Sequence, residues 1–78
     1  MPTVAIIGPY RFFFYASDGR EPPHIHVERE SATAKFWINP VALARNAGFS
    51  SVEIRKIQRI VEENREDFHA KWNQFFPR

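Results

Sequence analysis

A chain of 78 residues with no cysteine and a net charge of +2 describes one small domain with neither a disulfide staple nor a thiolate metal site, and its charge alone argues for no nucleic-acid partner. Hydrophobic residues make up 44% of it and aromatic residues 15%, more aromatic surface than so small a core hides, which predicts a face covered by a partner. No apolar run approaches the ~20 residues needed to cross a bilayer, and Met1-Pro2-Thr3-Val4 lacks the charged-then-apolar order of a secretory leader, so a cytoplasmic location without membrane contact is expected.

Residues 3–7 form a short β-branched run closed by the breaker pair Gly8-Pro9. They predict a strand, and its near-continuous apolar sequence predicts cover on both faces. Residues 10–16 predict a second strand. Phe12 and Phe14 share one face, and Arg11, Phe13 and Tyr15 the other. Ser17-Asp18-Gly19-Arg20 reads as a turn with Asp-Gly at its left-handed position.

Next comes Glu21-Pro22-Pro23-His24-Ile25-His26-Val27-Glu28, around which the rest of the chain is organised. The prolines favour an extended backbone, and the alternation after them predicts a strand over residues 24–30. Side chains two apart on a strand share a face. Ile25 and Val27 therefore point to a core, while His24, His26 and Glu28 stand together on a water-facing side.

Residues 32–38 predict a fourth strand, with Ala32, Ala34, Phe36 and Ile38 on one face and Thr33, Lys35 and Trp37 on the other. It pairs with the third as a hairpin whose turn chemistry is weak, and it ends at Asn39-Pro40. Residues 41–46 read equally as a short strand or a helical turn, closed by Gly48. Ser50 and Glu53 have capping-box spacing. Ile57, Ile60, Val61, Phe68, Trp72 and Phe75, with Asn64 in phase, keep one apolar stripe of a helix that Pro77 stops. A break near Glu66 is the alternative to one continuous helix. Arg55, Lys56 and Arg59 come early in it and Glu62, Glu63, Glu66 and Asp67 late, against the macrodipole. That order reads either as selection by an anionic partner near the helix start or as a cost absorbed by pairs three or four apart.

The predicted architecture is α+β: a three- to four-stranded, mostly antiparallel sheet with one long C-terminal helix packed on one face. It is a single domain over residues 1–78, β-rich over 1–40, with a connecting segment over 41–49 and the helix over 50–76.

Three chemistries fit the histidine strand. His24 and His26 can act as general base and general acid in RNA cleavage, with Arg11 or Arg29 stabilising an anionic phosphorane and Tyr10 or Tyr15 donating a proton or stacking a base. His24, His26 and Glu28 can instead hold a transition metal such as zinc; otherwise no cofactor is expected. Third, Phe13, Tyr15 and Trp37 beside Arg11, together with the basic Arg55, Lys56 and Arg59, suit a protein-binding surface, for a second protein or another copy of the chain. Against all three stands a plain alternative, in which the histidines only cap loop carbonyls or make a polar face. No phosphate loop, dinucleotide glycine pattern, nucleophile elbow or zinc-finger spacing is present.

Met1-Pro2-Thr3, the Arg11-Phe12-Phe13-Phe14-Tyr15 run, Asp18, Pro22-Pro23-His24-Ile25-His26-Val27, Ala34-Lys35-Phe36-Trp37 and Glu62-Glu63-Asn64-Arg65-Glu66 together resemble a family of short bacterial proteins known only as a domain of unknown function. Its recurring core runs Asp, Pro-Pro-His, an apolar residue, His, followed by a short strand and a terminal helix. The resemblance covers essentially the whole chain and carries no established catalytic residues. It implies one component of a bacterial two-protein, toxin–antitoxin-like module, acting through a small cognate protein encoded nearby; RNA-directed activity is what the His-x-His strand face itself would add. A small metal-binding or metal-dependent hydrolytic domain is the alternative.

Overall fold

A computed structural model describes residues 3–77. Five strands form one antiparallel meander in sequence order: β1 (Thr3–Ile7), β2 (Tyr10–Phe13), β3 (His24–Arg29), β4 (Ala32–Ile38) and β5 (Val41–Ala47). Two helices follow, α1 (Ser51–Glu63) and α2 (Arg65–Phe75). The α+β class is as expected, but the sheet has one more strand and the helical region is two helices.

The fifth strand was hidden by its position. β5 pairs with β4 from Thr33↔Ala47 to Ile38↔Val41, yet five of its residues are exposed. An edge strand open to water needs no strict apolar alternation, so its sequence reads as connecting chain. β1 is the opposite edge, and Ile6 is 72% exposed. The expected cover on both its faces is therefore absent.

Inside the sheet the alternation predicts the faces. Phe12, Ile25, Val27, Ala34, Phe36 and Ile38 are buried against Ile54, Ile57, Val61, Phe68 and Trp72 of the helices. Phe75 leaves the stripe at 40% exposure, and Phe76 packs on the core instead. The β3–β4 turn places Glu30 at φ 55. That left-handed position is costly for a side chain other than glycine, which is why the hairpin signal is faint in the sequence.

Asn64 divides the helices. Its Nδ2 donates to the Ile60 carbonyl at 2.8 Å, the acceptor its own backbone N–H also reaches at 3.0 Å. A side chain that competes for the ladder in this way bends a helix. The break falls two residues before the position expected, and it accounts for half of the charge order: Glu66 and Asp67 become first-turn acids of α2, where the dipole favours them. Arg55, Lys56 and Arg59 stay exposed on α1.

Ser50 caps α1 as predicted, its Oγ accepting from the Glu53 N–H at 3.1 Å. The reciprocal half of the box is not made. The Glu53 carboxylate instead takes both arms of Arg29 (2.6 and 2.9 Å) and the Tyr10 hydroxyl (2.9 Å), tying α1 to β2 and β3. The Arg29 guanidinium holds the Glu53 carboxyl below its usual range. Burial first, and the bond to Glu53 second, push the Tyr10 hydroxyl up.

Candidate functional site

The helices cover one face of the sheet. Across the other face runs a row in register, Phe13 on β2, His26 on β3, Lys35 on β4 and Arg45 on β5. Beside it run the rows Arg11–Glu28–Thr33 and His24–Trp37. His24, His26 and Glu28 thus alternate along β3 as predicted, but they do not act as a trio. Glu28 turns to Arg11, its Oε1 accepting from Nε at 2.6 Å. As a metal ligand beside the two histidines Glu28 is displaced by another acid, Asp18.

Asp18 lies in the short 3-10 turn Ala16–Arg20, which folds back over the start of β3. Its Oδ2 accepts the Tyr15 N–H at 2.8 Å and lies 3.0 Å from His26 Nε2. Its Oδ1 lies 3.2 Å from His24 Nε2. One donor atom from each of Asp18, His24 and His26 lies within 4.8 Å of the others. The two imidazoles converge, with ring centroids 5.0 Å apart.

They do not share one environment. His24 is fully buried, its ring 5.0 Å from Trp72 of α2 and 5.6 Å from Trp37. The expectation that both rings face water fails for this one, because the end of α2 closes over the start of β3. A sealed ring has no contact with a bound substrate, which separates His24 from the acid–base role. Solvent enters instead through the side chains of His26 and Asp18, 12% and 11% exposed. Burial pushes the His26 imidazole below its ordinary value, against the opposing pull of Asp18. This keeps the ring in the neutral form that ligates metals.

The hydrogen bonds of His24 fix its tautomer. Nδ1 lies 2.9 Å from the Pro22 carbonyl, and a carbonyl only accepts, so Nδ1 carries the proton. In the neutral ring the lone pair is then on Nε2. That atom is buried with no hydrogen-bond partner; its contact with Asp18 lacks hydrogen-bond alignment. Pro22-Pro23 therefore does more than launch β3. It presents a bare carbonyl to Nδ1 and so points Nε2 at the Asp18 carboxylate.

The other sequence-predicted residues sit around this cluster or apart from it. Tyr15 is 40% exposed, its ring 4.6 Å from that of His26. Phe13 is only 2% exposed, stacked on His26 and lying under the Arg11 guanidinium, 4.3 Å away. It is closed to a partner by its own neighbours. Trp37 is half-buried with the Lys35 ammonium 4.6 Å from its ring. Arg55, Lys56 and Arg59 belong to the helix side of the sheet and do not join the patch.

Asp18 is the residue that reading for turns passes over. Gly19 is not left-handed; it is required for space, since a Cβ there would lie 2.8 Å from Phe76 Cδ1. The one sequence signal for Asp18 was its place ahead of Pro-Pro-His-x-His in the family the chain resembles.

Neither a curated protein nor a solved structure matches this chain. Residues 10–73 match the model of a family described as a domain of unknown function, DUF4160. That span contains the 3-10 turn, both histidines and nearly all of the two helices, and the chain belongs to that family.

Proposed function

We propose that this protein is a small metal-binding domain that holds one divalent transition-metal ion through Asp18, His24 and His26. The observation that carries this reading is the buried, unpartnered Nε2 of His24, aimed at a carboxylate. Such an atom is costly where nothing completes its bonding. A cation between the two imidazoles and Asp18 completes it and suits all three groups. The Nδ1–H to carbonyl bond of His24 is the outer support that metal-bound histidines use to fix their orientation. A tetrahedral ion with bonds of about 2.1 Å sets its donors about 3.4 Å apart, so the donors, all within 4.8 Å of one another, close by at most about 1.4 Å on loading. Two imidazoles and one carboxylate suit zinc, iron, cobalt or nickel rather than calcium or magnesium. Three protein ligands leave a position open, as in catalytic rather than structural sites. On the solvent side, that position holds a water or a substrate oxygen.

Titration of the metal-free protein with zinc, followed calorimetrically, is expected to give one ion per chain. At a free concentration 100 times Kd, binding adds about 2.7 kcal/mol to folding stability, or roughly 10–20 °C in Tm for a domain of this size. Asp18→Asn keeps the shape and is expected to lower the affinity at least tenfold. Equal binding by the variant, or no binding by the native chain, overturns the reading.

A second reading is favoured by a different observation. Helices cover one face of the sheet, and the other, closed by the end of α2 only over His24, carries Tyr15 and Trp37 among Arg11, Lys35 and Arg45. A small cognate protein seated there makes the chain one component of a two-protein module, as the resemblance implies. Co-expression with the product of the neighbouring gene is expected to give a complex that Tyr15→Asp disrupts; separate elution of the two native chains counts against it.

A further inference from the structure

The row across the open face ends in two like charges. Lys35 on β4 and Arg45 on β5 are direct cross-strand partners, an arrangement that destabilises a sheet unless something lies between them. Next to this pair the register of β5 jumps from Arg45 to Leu43, leaving Ala44 without a partner. A bulge of this kind re-aims the neighbouring side chain and is common beside functional sites.

The two cations line an enclosed recess of about 60 Å³, room for a few waters or one tetrahedral oxyanion. Its other walls include His26, Tyr15, Thr33 and Phe13. Of the acids nearby, Glu28 is engaged with Arg11 and Asp18 with the histidines, while Glu21 holds the Lys35 ammonium itself. Among the described residues none pairs with Arg45.

We infer that this recess binds a phosphoryl group, placed between Lys35 and Arg45 with one oxygen turned toward the His26 side of the cluster. The substrate class of the metal site is then a phosphate ester; this assignment rests on the metal reading, while the anion site rests on the charge pair and the recess. Arg45 supplies a planar fork suited to two phosphoryl oxygens, Lys35 a point charge, and Thr33 a hydroxyl that donates. The Lys35–Glu21 pair is exposed on the Glu21 side, so an anion of higher charge displaces that carboxylate into water.

The test is titration of the metal-free protein with inorganic phosphate at constant ionic strength, read by backbone amide shifts. Saturable shifts confined to Thr33, Lys35, Arg45 and their neighbours are expected. Arg45→Gln should weaken phosphate binding about tenfold, leave zinc affinity unchanged and preserve the fold, because its side chain is exposed. Acetate at equal concentration should give no saturable shift. Non-saturating shifts, equal phosphate binding by Arg45→Gln, or acetate binding as well as phosphate each overturn the inference, and each does so whether or not zinc binds. Failure of zinc to bind the native chain overturns the metal reading and the ester assignment with it.

Discussion

Trp72→Ala is expected to remove about 3–5 kcal/mol of folding stability. A domain of 78 residues has about 4–12 kcal/mol in total, so this single change removes at least a quarter of it. Trp72 is 2% exposed. Its ring lies 5.3 Å from Phe14, 4.3 Å from Phe76 and 5.0 Å from His24, so it joins the C-terminal end of α2 to the sheet and to the buried histidine together. Truncation leaves a cavity among rings whose positions are set by other contacts, which limits collapse. Urea unfolding followed by the fluorescence of Trp37 measures the loss directly. A loss below about 1 kcal/mol would mean that the end of α2 does not anchor the core. Trp72→Phe, which keeps an aromatic ring in place, is expected to cost much less.

Gly19→Ala is expected to lower metal affinity by about 10- to 100-fold, the range found when the supports of a metal ligand are disturbed. The added Cβ would lie 2.8 Å from Phe76 Cδ1 and 3.4 Å from Cε1 and Cγ. Phe76 is held by Trp72 and by Phe75, at 4.3 and 4.7 Å between ring centroids. The 3-10 turn has no buried residue, so the turn gives way rather than the ring. Asp18 moves with it, and its carboxylate leaves the two imidazoles. Phe76→Ala removes the obstruction, so the double variant should bind metal as Phe76→Ala alone does. Native affinity in Gly19→Ala, or no recovery in the double variant, would show that this contact does not position Asp18. Circular dichroism separates the outcome from unfolding, because an exposed turn residue contributes little to the core.

Much of the fold was legible because it rests on local periodicity. The alternation of Ala32, Ala34, Phe36 and Ile38 gave the buried face of β4, and the spacing of Ile57, Val61, Phe68 and Trp72 gave the apolar stripe of the helices. The errors share one cause. β5 read equally as a strand or a helical turn because a solvated edge strand needs no strict apolar alternation, and the helix looked continuous because Asn64 keeps the phase of the stripe while bending its axis. In both cases the deciding interaction lies outside the pattern that periodicity measures.

For the candidate site, the chain by itself determined that His24 and His26 alternate with Ile25 and Val27 on one strand, because the strand repeat of two residues is a property of the backbone. It also determined that Pro22-Pro23 lies immediately before them. The tertiary structure decided which acid meets them, Asp18 from a turn six residues before His24 rather than Glu28 two residues after His26, because Arg11 on the neighbouring strand occupies Glu28. It decided too that His24 is sealed while His26 meets water, because the end of α2 lies over one and not the other. Contacts between elements distant in sequence are set by packing, and no spacing along the chain encodes them.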